Sequence, residues 1–422
     1  MKNWLLIIII ILSGLCLSQC VDKTLENNIY EIESINPLDS NYKDFRFLDN
    51  VLKDVDIVFI GEQAHGEGTV TKAKTKLFKY LNSKLGFNTL VFEGSFYDIY
   101  VAGKFIKTMQ NKDMILKSAI PAIWYNTVEF EEMNEILKQE VVSGNLKLYG
   151  IDCQYNSLAR NTLFNYLEKK LIKNGNSIDS SSLELLNKYI WGTTKRDGSY
   201  FDSKADSINV FNTLDKIIIE SNGMVSDSTG FWAQSLINLK TNLLIGIINF
   251  HNNEPIYYRN NIRDKIMAEN ILWLHRNKNK EDKIIVWSAS MHNARNISSI
   301  EEVSDTSFYN NYIPMGQIVF DSLGNNMYSI AFTSSHGFYK TPYMMNDSVE
   351  ITSKHKNSIE SYFHQNSIKY GFVNFREADL NEFFWTKLYS NPHGHKNVKA
   401  VWPKIHDGIF YIDSIQPPSI IK

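Results

Sequence analysis

Cysteine is scarce: Cys16, Cys20 and Cys153 are the three in 422 residues. If the chain is cut just before Cys20 and that cysteine takes a lipid, Cys153 is the one thiol left and no intramolecular disulfide can form. Stability then has to come from a core. An excess of either charge is missing too, with 44 basic against 46 acidic residues and a net charge of −2. That balance gives no basic surface for nucleic acid and no acidic tail. After the first twenty residues there is no internal repeat and no low-complexity tract. Metal-ligand spacings are absent as well: there is no His-Glu-x-x-His and no cysteine pair, so no metal and no cofactor is expected. Nothing points to an obligate protein partner.

What is present is apolar. Hydrophobic residues make up 43% of the chain and aromatic ones 13%, enough for a large core with aromatic-lined clefts. The first twenty residues differ from the rest. Lys2 is followed by the aliphatic run Leu5–Leu12, then by small and polar residues up to Leu17-Ser18-Gln19-Cys20. This has the proportions of a secretory signal peptide rather than of a membrane span. Cys20 stands where a bacterial lipoprotein carries its lipid, although Gln19 departs from the small residue usual before it. A lipidated Cys20, an ordinary cleaved signal and an uncleaved anchor are the three alternatives. The first predicts an exported protein of the periplasm or outer membrane, touching the membrane only through its N-terminal lipid.

Residues 21–44 are polar and read as a short tether, followed by one domain over 45–422. Asp56–Ile60 is a continuous apolar run of the kind buried on both faces of a parallel sheet. Leu77, Leu81 and Leu85 then recur at helical spacing over Thr71–Leu85, and Gly86 is placed to stop that helix. Thr89–Phe92 is the next strand, which completes a βαβ unit. Leu146–Tyr149 and Lys283–Trp287 repeat the strand signal, and residues 157–280 between them look mainly helical, an insertion capping the sheet. Residues 309–334 read as strand-rich, with further strands at Tyr328–Phe332 and Phe410–Ile412. The fold class is therefore α/β: a mainly parallel sheet, flanking helices and a largely helical cap.

In such sheets ligands bind where strands end and loops converge. Four strands deliver polar residues there: Glu62 with His65, Glu93, Asp152 and His292. His65 takes up a proton near neutral pH, and Glu62, three residues earlier, is a partner to orient it. Glu93 would be costly to bury unpaired. Arg263 is a candidate to bind a carboxylate or polarise a carbonyl. Asp264 reads as an acidic residue at the start of a helix over Lys265–Leu274, a favourable place for negative charge. The remaining histidines, including an exposed-looking His393-Gly394-His395, have no evident partners.

These blocks together resemble the erythromycin esterase family. The resemblance runs through Ile60–Gly66, Leu85–Phe87, Val91–Glu93, Tyr149–Gln154, Arg263–Asn270, Ile285–His292, Ser358–Glu360 and Asp407–Asp413. It implies a hydrolase that cleaves a small-molecule ester or lactone with activated water, without a covalent serine and without a strict metal requirement. His65 is then the general base, Glu62 and Glu93 orient it and the water, and His292 binds or polarises the substrate; Lys74, Asp152 and Arg263 line the substrate side. Two positions depart from the pattern. The family often has His-Asn-x-His after the Trp-containing strand, where this chain reads Ala289-Ser290-Met291-His292. It often has arginine where this chain has Lys74, which lacks the bidentate fork. A macrolide substrate is therefore in doubt, and a non-catalytic binding lipoprotein on the same fold is the rival reading.

Overall fold

The computed structural model describes residues 29–173, 180–192, 203–221, 230–251, 254–340, 348–352, 355–377, 380 and 382–421. The leader, Cys20 and residues 21–28 lie outside the described residues.

Eleven strands are described: β1 Ile29–Glu31, β2 Ile57–Glu62, β3 Thr89–Ser95, β4 Lys147–Asp152, β5 Ile284–Ala289, β6 Met327–Tyr339, β7 Val349–Thr352, β8 Tyr370–Asn374, β9 Leu388–Ser390, β10 Val398–Ala400 and β11 Gly408–Ile415. Nine of them form one sheet in the order β1-β8-β11-β6-β2-β5-β3-β4, with β7 paired to β6. The six from β11 to β4 run parallel, and β8, β1 and β7 join antiparallel. The expected mainly parallel α/β sheet is the one found.

The continuous apolar runs work as two-faced strands. Ile57, Phe59, Val91 and Ile151 pack with Met267, Ile271 and Leu274 of the helix Ile256–Asn277 on one face. Val58, Ile60, Leu90, Phe92 and Trp287 pack on the other, with Leu77, Phe78 and Leu81 of the helix Gly68–Leu85. Alternate side chains of one strand thus serve opposite layers.

Among the described residues of 157–280 there are five helices: Ser157–Lys173, Ser180–Gly192, Lys204–Ser221, Phe231–His251 and Ile256–Asn277. Their arrangement refines the cap. Leu163, Leu186, Leu214 and Leu243 build a separate core with Phe96, Tyr97 and Val101 of the helix Phe96–Phe105, and among the described residues no strand residue enters it. The insertion therefore rests on helices, and its last helix belongs to the layer covering the sheet.

Two expectations are corrected. Residues 309–326 are not strands but end the helix Thr306–Asn311 and form the helix Met315–Leu323 and a turn at Gly324–Asn326. Met315, Gly316 and Val319 are its buried positions, a helical spacing that the Ile318-Val319-Phe320 run hides. Nor are residues 29–44 a tether: β1 pairs with β8, and Ile32 and Ile35 are buried. A short apolar segment amid polar residues is held by non-local pairing that its own composition does not announce.

Candidate active site

Glu62 is the last residue of β2, and the turn after it is tightly fixed. Gly66 has φ +105°, and a Cβ on it would fall 1.4 Å from the Lys340 carbonyl oxygen. Only glycine fits there. The Lys340 amide in turn donates to the Gly66 oxygen at 3.1 Å. Within this turn His65 Nδ1 lies 2.9 Å from Glu62 Oε1, and the Trp124 ring meets the imidazole edge-on with centroids 5.6 Å apart. Behind them Lys74, from the middle of the helix Gly68–Leu85 and 1% exposed, donates to Glu62 Oε2 and, at 3.3 Å, to the Ser288 oxygen. Its ammonium sits 4.3 Å from the centre of the Trp287 ring.

The second half faces this one. Glu93 lies within β3 rather than beyond it, since the strand continues to Ser95. Its Oε2 accepts from the Ala289 amide at 2.9 Å, and its Oε1 lies 2.8 Å from Arg263 Nη2, 3.3 Å from His292 Nε2 and 3.8 Å from His65 Nε2. Arg263 also grips Asp152 Oδ2 through Nε at 3.0 Å and Nη2 at 2.7 Å. His292 Nδ1 donates to Asp264 Oδ1 at 2.8 Å, with the Tyr312 hydroxyl 3.1 Å away. The structure thus brings Glu62, His65, Lys74, Glu93, Asp152, Arg263 and His292 into one connected cluster at the strand ends.

Four buried carboxylates (Glu62, Glu93, Asp152 and Asp264) face two fixed cations, Lys74 and Arg263. The His292 imidazole, held by Asp264 and Glu93, supplies further positive charge. Burial pulls the His292 pKa down, but Asp264 and Glu93 outweigh it and push it up to about 10. Burial also opposes protonation of His65, yet its hydrogen bond to Glu62 and the charge of Glu93 hold it above the ordinary histidine value. Burial would raise Glu93; His292, Arg263 and His65 instead keep it well below the usual carboxylate range. Lys74 is shifted down, because burial outweighs its carboxylate partners. With its side chain 29% exposed, His65 is the most accessible member of the cluster.

Two readings from sequence need correction here. Asp264 does not open a helix, because that helix begins at Ile256; it is fully buried and orients the His292 ring while accepting the Met315 amide at 2.9 Å. His393 and His395 are not exposed. The Gly394 amide donates to the Gln63 oxygen at 2.9 Å, which folds this loop onto the turn of His65. His395 Nε2 then lies 2.5 Å from Glu67 Oε1, which also accepts the Ala64 amide at 3.0 Å. Tyr312, Trp124, Glu67 and His395 were not singled out by sequence reasoning. Tyr312, Trp124 and His395 reach the site through contacts distant in the chain, for which a single sequence carries no signal, whereas Glu67 lies in the same turn as His65.

A surface groove of about 1270 Å³ lies elsewhere, between Lys72, Asp113, Tyr125 and Lys138. Chemistry rather than volume makes the Glu/His cluster the candidate site. Its donors suit a metal in type, but Glu62 is taken by Lys74 and His65, and Glu93 and Asp152 by Arg263 and His292. The places of a metal ion's positive charge are already filled.

The model described as erythromycin esterase matches residues 83–415. The putative hydrolase YbfO of Bacillus subtilis is 23% identical over 420 residues, covering 92% of this chain and 90% of its own. Erythromycin esterase type II of Escherichia coli is 23% identical over 437 residues, covering 92% of this chain and 96% of its own. A crystal structure of a Bacillus cereus protein shares the fold with a TM-score of 0.75 and 19% identity, over 96% of this chain and 99% of that one. A family model spanning most of the chain, and relatives aligned along nearly all of it, lead to one conclusion: this chain belongs to the erythromycin esterase family of hydrolases.

Proposed function

We propose that the protein is an exported, metal-independent hydrolase that cleaves a small-molecule ester or lactone with water activated by His65. One observation carries this reading. Glu62 holds His65 Nδ1, so the neutral ring presents Nε2 as an acceptor, 3.8 Å from Glu93 Oε1 on the accessible side of the cluster. A water between these groups loses a proton to Nε2 as its oxygen adds to the substrate carbonyl. The negative charge that forms on the carbonyl oxygen is met by Arg263 and the His292 imidazolium, 3.2 Å apart and fixed by Asp152, Glu93 and Asp264. The His65 imidazolium then protonates the leaving alkoxide, giving acid and alcohol, or one hydroxy acid from a lactone. A thiol nucleophile is not part of the scheme: Cys153 is buried, and burial pushes its pKa well up.

The direct test is a screen of esters and lactones with the purified protein, following acid release. Tight binding without turnover of any of them would favour the rival, a binding lipoprotein, for which the missing histidine at Ala289 speaks. Against that rival, the Ala289 amide still holds Glu93 in place.

Two further outcomes are expected. Because Lys74 and Arg263 neutralise the carboxylates, turnover should be unchanged after exhaustive EDTA treatment; activity that is lost and returns only with an added divalent ion would refute metal independence. Export rests on the leader and on Cys20. Cys20→Ser should move the protein from the membrane to the soluble fraction in its native host. An unprocessed N-terminus seen by mass spectrometry would end that part of the proposal.

A further inference from the structure

A second group of donor atoms gathers at the end of β6. There β6 and β11 run parallel, with Ser414 opposite His336 and Ile415 opposite Gly337. The backbones close together at Gly337, where φ is +118° and a Cβ would lie 2.0 Å from the Ile415 oxygen. Glycine alone permits that approach, which draws His336 toward Asp413. The helix Ile359–Gln365 lies against β11 through Phe363, stacked on Tyr411 with centroids 4.5 Å apart, and the next residue along is His364.

The result is a convergence on one oxygen. His364 Nδ1 is 2.8 Å and His336 Nδ1 3.8 Å from Asp413 Oδ1, and the three donor atoms all lie within 4.8 Å of one another. The Tyr411 hydroxyl, 2.7 Å away, fixes the same carboxylate oxygen. A surface ion pair needs only one of the two imidazoles. The second, drawn in by the close approach at Gly337, makes a ligand set.

We propose that His336, His364 and Asp413 bind a divalent ion of the zinc class, separate from the Glu/His cluster. Two imidazole nitrogens and a carboxylate suit zinc, whereas magnesium and calcium demand oxygen donors. A tetrahedral zinc ion with bonds near 2.1 Å needs donors roughly 3.4 Å apart. The observed 2.8 and 3.8 Å straddle this separation. Both rings have room to adjust, their side chains being 47% and 60% exposed. The remaining coordination positions face solvent and take water. The ion would tie two strands to the helix packed across them, which makes the site structural rather than catalytic.

The experiment uses untagged full-length protein stripped with EDTA and titrated with zinc chloride by calorimetry, with excess magnesium present. One zinc per chain should bind and raise the Tm. His336→Gln and His364→Gln should each weaken zinc binding at least about tenfold. Both rings are exposed, so the metal-free Tm of each variant should match the wild type. His65→Gln should bind zinc as the wild type does. Absence of saturable zinc binding, binding that survives the double substitution His336→Gln/His364→Gln, or binding lost in His65→Gln would each overturn the proposal. Loss of binding in His65→Gln would also count against the metal independence proposed for the Glu/His cluster, whereas the other outcomes leave that reading untouched.

Discussion

Replacement of His65 by alanine should lower kcat by at least about a hundredfold, roughly 2.7 kcal/mol of barrier. In the proposed mechanism this imidazole takes the proton from water, and the alanine variant has no acceptor there. Thermal stability should change far less, because a partly exposed ring at the rim of the site contributes little apolar burial. The pH profile supplies an independent sign. A base works only when deprotonated, and the His65 pKa is raised above its ordinary value. The acid limb of kcat/KM should therefore lie above about 6.5, the unperturbed histidine value. Glu93→Gln removes one of the charges that raise it, so in that variant the limb should move to lower pH while kcat falls. A His65→Ala protein retaining more than about a tenth of wild-type turnover would place the base elsewhere. An acid limb that stays put in Glu93→Gln would mean that Glu93 does not act on His65.

The second large effect is expected at Arg263. Its guanidinium is the common partner of Asp152 and Glu93, two carboxylates buried to 2% and 5% exposure. Arg263→Met keeps much of the volume and strands both charges. Breaking a buried pair from one side costs about 3–5 kcal/mol, and the lower end applies here because the arginine side chain is 22% exposed. Urea denaturation should register this loss near neutral pH. The sign against pH follows from Glu93, whose folded-state pKa is depressed. Its contribution is present above its unfolded pKa and disappears as pH falls through the folded one. The gap between variant and wild type should therefore narrow in acid. Turnover should also fall by about 10²–10³-fold, the effect of losing a donor to the developing oxyanion. Arg263→Lys restores the charge without the fork and should recover stability better than rate. A Met variant as stable as the wild type at pH 7 would show that the carboxylates do not depend on this cation.

Much of this arrangement was legible in the chain because parallel strands announce themselves. Ile57–Ile60, Leu90–Phe92 and Ile284–Trp287 are unbroken apolar runs, and the polar residue that closes each run has to emerge at the strand's carboxyl end. Glu62, Asp152 and His292 were found that way, and so was Glu93, although it sits inside its strand. Asp264 was misjudged over a helix boundary. The helix starts at Ile256 after Pro255, so the acidic side chain is mid-helix and faces His292 rather than the helix end. His395 was passed over for a different reason. Its neighbours Glu67 and Tyr339 come from distant segments, and nothing in the spacing of His393-Gly394-His395 encodes that meeting. The helix Met315–Leu323 was taken for strand because three adjacent apolar residues fit either period.

The position of β2 in the sheet has a consequence for how the molecule comes into being. This strand, which carries Glu62 and leads into His65, pairs with β5 through Ile57 and Ile284 and with β6 through Ile57 and Met327. Both neighbours lie more than half the chain away. The pair β3–β4 can form early from a local crossover, but β2 has to wait for segments made much later. Loop closure of that span precedes any reward from the contacts it allows, which slows folding. A strand of six fully buried residues meanwhile stays unpaired and sticky. The chain should therefore assemble slowly, with β2 left unpaired until β5 and β6 exist, and no fragment ending before β6 can contain a finished site. Whatever brings this protein to maturity must shield Ile57–Glu62 until the C-terminal third arrives.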